Sequence, residues 1–287
     1  MQENLPKAIA IAILTSFIAS LVSALTKFLS THLSMHVIIC LQYAVGFCIA
    51  APVLFRRGKG LAAFATQRPG LHLLRGLVGL LSYYSFYFSL LHIPLVESQL
   101  LRNAAPLFVP LVVFLMARVG IPKARYLPLS IGFLGVLVIL RPSGGEISLW
   151  HLVGLSSGLA LATSMVSTRL LVRTESSASI VFYYFAIALL VSLPLAVVNA
   201  AAAPLYIWIL GLLAGAGLYL AMHLYTLSFR YAKPSAIAPI NYLGVVFAGL
   251  WGWLFWHQTP DLFSSIGILL VILGAIITLY LPDTDKQ

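Results

Sequence analysis

The chain has 287 residues, 61% of them hydrophobic and 8% charged, with a formal net charge of +10 and a mean hydropathy of +1.02. Soluble domains carry roughly 25% charged residues. This chain lacks the polar cover that a water-facing surface needs, so lipid must solvate most of it. The positive charge does not point to nucleic acid, because the basic residues stand in short clusters between apolar runs, the pattern that sets membrane topology.

In chain order, stretches of about 20 apolar residues recur. The expected spans cover about 7–30, 34–55, 70–91, 95–117, 125–141, 148–172, 179–199, 204–230, 234–256 and 262–281. The first is too long for the apolar core of a signal peptide, and no clear cleavage site follows Lys27. Cys40 and Cys48 share the second span and read as small apolar packing residues. These spans and short loops account for the length, with no soluble domain left over. No nucleotide-binding motif is visible, which argues against an ATP-driven pump.

The loops between spans fix an expected direction. Arg56, Arg57, Lys59 and Arg68 follow span 2, and Arg118, Lys123 and Arg125 follow span 4. Arg169, Arg173 and Glu175 lie around the 6–7 turn, and Arg230 and Lys233 at the 8–9 turn. The alternate turns hold little beyond His32, His92, Arg141 with Glu146, and Asp261. With both termini cytoplasmic, nearly every basic loop residue falls inside.

The two halves, 1–145 and 146–287, resemble each other. Ser89-Leu90-Leu91-His92-Ile93-Pro94 precedes span 4 as Ser228-Phe229-Arg230-Tyr231-Ala232-Lys233-Pro234 precedes span 9. Spans 5 and 10 begin with Ser130-Ile131-Gly132 and Ser265-Ile266-Gly267. Spans 1 and 6 end with Ser23-Ala24-Leu25-Thr26-Lys27 and Met165-Val166-Ser167-Thr168-Arg169. An odd number of spans per half turns the second half over, giving an inverted repeat, a design of secondary transporters. The expected fold class is therefore all-α integral membrane, with ten transmembrane helices in two inverted five-helix repeats around a central cavity.

Three segments carry a family resemblance: Ala104-Ala105-Pro106-Leu107-Phe108, Ile131-Gly132-Phe133-Leu134-Gly135-Val136 through Arg141-Pro142, and Ala236 through Tyr242. On them, and over nearly the full length, the chain resembles a bacterial drug/metabolite transporter of the EamA family. The resemblance implies ten helices in two inverted bundles and a substrate such as an amino acid, nucleoside, cofactor or other metabolite. It also implies a departure. Many relatives carry a Glu just after spans 4 and 9, where this chain reads Ala117-Arg118-Val119 and Trp256-His257-Gln258.

Polar residues inside spans are expensive and mark pathways or partners. Span 4 holds Glu97, Gln99, Arg102 and Asn103. Glu97 is near a span end and suits either an interface or a counter-ion role. Arg102 is deeper and suits either a structural tie to backbone carbonyls or recognition of a substrate carboxylate or phosphate. Aligning Ser89 with Ser228 sets Arg102 against Asn241, Asn103 against Tyr242 and Tyr84 against His223. Tyr83, Tyr84 and Tyr87 sit deep in span 3, where each hydroxyl needs a partner. Tyr219 and His223 lie at i, i+4 in span 8. Tyr83, Tyr84, Tyr87, Glu97, Arg102, Asn103, Tyr219, His223, Asn241 and Tyr242 form the expected substrate site. The prolines Pro106 and Pro110 make span 4 a candidate hinge. Trp251, Trp253 and Trp256 read mainly as belt residues, and the clustered glycines as close helix contacts.

The expected activity is a secondary carrier that moves a small organic metabolite, an amino acid or similar zwitterion, across the bacterial inner membrane by alternating access, in export or exchange. Uptake or exchange of a cationic cofactor such as S-adenosylmethionine is the alternative, with Glu97 as counter-ion and the tyrosines as cation–π partners. Few acids lie inside spans, which favours exchange or facilitated flux over tight proton coupling. No HExxH zinc motif appears and the serines lack a general base, so the chain does not read as an enzyme. The repeat and the crowded aromatics argue against an open channel. No cofactor, nucleic acid or obligate protein partner is expected, only the substrate and membrane lipid.

Overall fold

The computed structural model describes residues 5–56, 64–118, 126–140, 148–199, 202–231, 243–258 and 262–280. Among them every regular element is helical: α1 (Leu5–Leu29), α2 (Met35–Phe55), α3 (Pro69–His92), α4 (Leu95–Asn103), α5 (Ala105–Ala117), α6 (Tyr126–Leu140), α7 (Leu149–Leu171), α8 (Ser177–Val198), α9 (Leu205–Tyr231), α10 (Leu243–Trp256) and α11 (Leu262–Tyr280). Among the described residues, six helical segments are long and apolar enough to cross a membrane: α1, α2, α7, α8, α9 and the α4–α5 run over Leu95–Met116. Helix α3 matches them in length at 24 residues, but Arg75 and its serines and tyrosines dilute its apolar content. The part of expected span 9 before residue 243 lies outside the described residues.

The surface is inverted relative to a water-soluble protein. Leu81, Leu115, Leu190 and Leu269 point outward and are more than half exposed, while Ser82, Ser89, Ser98 and Ser157 are buried. Outward leucines and inward serines are the arrangement that hydrocarbon solvation favours.

Sequence explains the helix ends. Ser34 and Ser176 cap α2 and α8 alike, each hydroxyl accepting from the N–H of the third residue on, Val37 and Ser179. Arg118 and His257, after α5 and α10, are the non-glycine residues with positive φ among those described, at 55° and 52°. Each donates its N–H to the carbonyl four residues back, Phe114 and Trp253, the left-handed helix stop usually taken by glycine. They are spaced by the same interval as Ser89 and Ser228.

Helix α3 packs most extensively on α7, α1 on α9, α2 on α8 and α6 on α11. The next contacts join α2 to α9, α3 to α8, α1 to α10, α7 to both α4 and α5, and α4 to α10. Buried polar bonds stitch these seams. Ser82 Oγ donates to the Ser157 carbonyl at 2.9 Å. The Tyr87 hydroxyl donates to Gln42 Oε1 at 3.1 Å, and Gln42 Nε2 donates to Thr26 Oγ1 at 2.7 Å. Glycine sets the tightest approach. A Cβ on Gly158 of α7 would stand 2.6 Å from the Leu101 carbonyl oxygen, so α7 touches the backbone of α4 where α4 ends.

Candidate functional site

The break between α4 and α5 follows from Pro106. It has no N–H for the Arg102 carbonyl, and its ring crowds that carbonyl. The ladder stops at Asn103, and Ala104 turns the chain into α5. The interruption leaves Arg102, Asn103, Ala105 and Pro106 on the wall of a central cavity of about 110 Å³. Helices α1, α3, α7, α8, α9 and α10 supply the remaining wall.

Two arginines dominate this cavity. Arg102 is 8% exposed and Arg75 of α3 is 4% exposed. The Arg102 guanidinium lies over the Tyr83 ring at 4.3 Å and near Phe86 at 5.1 Å. The Arg75 guanidinium lies over Tyr184 of α8 at 4.5 Å, and its Nε donates to Thr168 Oγ1 at 2.6 Å. That hydroxyl donates in turn to the Ser164 carbonyl at 2.7 Å. Gly79 makes room for the Tyr184 ring, which a Cβ there would meet at 2.6 Å.

The tyrosines form a connected set. The Tyr43 and Tyr184 hydroxyls are 2.8 Å apart, the Tyr43 and Tyr83 rings 6.2 Å, and the Tyr83 and Tyr87 rings 5.5 Å. Each arginine thus rests on the electron-rich face of a tyrosine locked by its neighbours. A cation–π contact is worth about 0.5–2 kcal/mol and leaves the charge unneutralised. The cavity wall contains no Asp or Glu among the described residues. Arg75 Nη1, Arg102 Nε and Gln99 Oε1 have no hydrogen-bond partner among them. Two buried cations without a carboxylate and with unfilled donors suit an anion. No group of three or more His, Cys, Asp or Glu able to hold a metal occurs among the described residues.

The structure brings Tyr83, Arg102 and Asn103 to the cavity wall. Tyr87 is buried behind it on Gln42. Tyr84 turns to α2, 3.4 Å from His36 Nδ1, and stacks on Phe88. Tyr219 and His223 stack on each other at 6.0 Å, with Tyr219 beside Phe185. Glu97 lies near the start of α4, its Oε2 3.3 Å from His151 Nε2 at the start of α7. Tyr84, Tyr87, Glu97, Tyr219 and His223 are not among the wall residues. Asn241 and Tyr242 lie outside the described residues.

Sequence reading passed over Arg75, Thr168 and Tyr184. Arg75 stands about two turns into α3, after Arg68, and merges by eye with the basic span end. Its signal is depth: it is the only Lys or Arg between Pro69 and His92.

A family model, the EamA-like transporter family, matches residues 6–141 and again 148–280. The pseudopaline exporter CntI of Pseudomonas aeruginosa is 32% identical over 274 residues, 95% of each chain. The riboflavin transporter of Brucella anthropi is 27% identical, over 87% of this chain and 88% of its own. The S-adenosylmethionine uptake transporter of Rickettsia prowazekii is 24% identical, over 81% of this chain and 78% of its own. A solved crystal structure shares the fold over 93% of this chain and 95% of its own, with a TM-score of 0.63 at 16% identity. The helical, lipid-facing chain with its doubled match is a multi-pass membrane protein of the EamA-like transporter family.

Proposed function

We propose that this chain is a secondary carrier that moves a small carboxylate-bearing metabolite, an amino acid or similar zwitterion, across the bacterial inner membrane by export or exchange. The reading includes ten spans in two inverted five-helix repeats, with both termini cytoplasmic. The helix pairings support the repeat: exchanging each span for its counterpart turns α3–α7 into α9–α1 and α2–α9 into α8–α3, and returns α2–α8 and α6–α11 to themselves. The matched caps at Arg118 and His257 support it again.

One observation carries the substrate class. Arg102 is buried in the cavity wall beside the break in its helix, with Nε unfilled and no wall carboxylate to neutralise it among the described residues. An anionic substrate group would complete it. Export agrees with the role of the relative that is 32% identical, the pseudopaline exporter CntI. A cationic cofactor fits less well, because Glu97 faces His151 rather than the cavity. In the carrier cycle, Arg102 binds the carboxylate, Tyr83 holds the guanidinium in plane, and α4 can reorient about Ala104 between the two faces.

The test is binding and flux in proteoliposomes, with melting temperature as a folding control. Arg102→Lys keeps the charge and loses the planar fork, so it is expected to weaken binding. Arg102→Gln is expected to weaken it further. A destabilised Arg102→Gln protein with unchanged affinity would falsify the binding role and leave Arg102 as a structural tie.

A further inference from the structure

We infer that the substrate carries two anionic groups, one for Arg102 and a second for Arg75. The inference rests on the carboxylate reading above and extends it to a residue on another helix. Arg75 and Arg102 both face the cavity, and both keep a guanidinium nitrogen without a partner among the described residues. A single carboxylate would leave one buried cation uncompensated. Burial without a counter-charge is costly in a low-dielectric setting, and the described wall residues include no acid to offset it.

Placement separates the two anchors. Arg102 stacks on Tyr83, whereas Arg75 lies on the same α3 helix as Tyr83 but roughly 12 Å of helical rise away. Arg75 is held there by Thr168 and Tyr184. The two guanidiniums rest on different tyrosines, Tyr83 of α3 and Tyr184 of α8, so a ligand with two anionic groups can meet each cation on its own platform. The matching ligand is an organic dianion with its charged groups several bonds apart. Ser164 and Gln99 line the wall as well and give polar contacts for the linking atoms. A structural Arg75 would instead be expected to spend its guanidinium nitrogens on protein carbonyls, and Nη1 does not.

The experiment uses the full-length protein in detergent and measures melting temperature against concentration. The probes are dicarboxylates from succinate to pimelate and their 2-amino derivatives, each matched to the monocarboxylate of equal length. At least one dianion should half-saturate at roughly ten- to a hundredfold lower concentration than its monoanion partner, the range of one charge-assisted hydrogen bond. Arg75→Gln should abolish most of that advantage, with a much smaller loss for the monoanion. Arg75→Lys, which keeps the charge if the Gln variant folds poorly, should retain part of it. Equal half-saturation for every matched pair would overturn the proposal. So would a dianion advantage that survives Arg75→Gln or is unaltered by Arg75→Lys. Arg102→Gln separates the two claims. If it removes binding of both classes while the Arg75 variants change nothing, the carboxylate carrier stands and the second anchor falls. If it leaves both intact, the carrier reading itself fails.

Discussion

At the start of α7, the Glu97 carboxylate stands 3.3 Å from the His151 ring. Past its other end, Glu175 stands 3.9 Å from His72 and also accepts from the Thr66 hydroxyl and the Gln67 N–H. In the cavity, Arg75 and Arg102 face tyrosine rings and, among the described wall residues, no carboxylate. Acids at the ends of α7 are met by groups of the protein itself. The two arginines, Arg102 beside Gly158 in the middle of α7 and Arg75 on Thr168 in its last turn, are stacked on tyrosines and meet no carboxylate among the described wall residues. On the function proposed above, the difference separates polar residues that fasten helices from polar residues arranged for a substrate that arrives and leaves.

The largest expected effect tests the central half of that contrast. Arg102→Gln should reduce apparent substrate affinity by about 2–3 kcal/mol, the worth of a hydrogen bond to a charged group, with little change in melting temperature. The next tests fastening. Gly158→Ala places a methyl against the Leu101 carbonyl, where backbone cannot yield. It should destabilise the fold by about 1–3 kcal/mol, read as a lower melting temperature, with affinity in the surviving protein near normal. Glu97→Gln should cost about 1 kcal/mol of stability and leave affinity unaltered; a large affinity loss would mean that Glu97 serves the site after all. Tyr83→Ala should impair binding more than Tyr84→Ala or His223→Ala, and Trp256→Ala least, since of these four only Tyr83 is a wall residue. Orientation is read by labelling with an impermeant thiol reagent in a Cys48→Ser background. A cysteine at Ala65 should be protected in intact cells and one at Ala202 should react.

Much of this architecture is legible in sequence because lipid demands long apolar runs. The expected span 70–91 differs from α3, Pro69–His92, by a residue at each end. Pro106 marked the hinge region, although reading 95–117 as one continuous span hid the turn at Ala104. Faces were harder to read than depths. Tyr83 and Tyr84 are equally deep, yet a rotation of about 100° per residue sends one to the cavity and the other to His36. Partners were hardest. His151 and Glu97 belong to different halves, as do Tyr184 and Arg75, and no spacing along the chain announces such pairs. Tyr43 and Tyr184 are 141 residues apart, and nothing local to either announces their contact.

The most extensive helix pairings all join one half of the chain to the other: α3 to α7, α1 to α9, α2 to α8 and α6 to α11. This bears on how the molecule is made. On the ten-span reading proposed above, α3 and α4 enter the bilayer with Arg75, Glu97 and Arg102 before the second-half helices α7, α8 and α10 that pack on them are made. The early half must wait beside the translocon, with those side chains snorkelling or hydrated. Neither half, synthesised alone, has the surfaces needed to finish itself. Two half-chains cut in the 141–147 connection and produced together should rebuild a stable protein, whereas either one alone should be degraded.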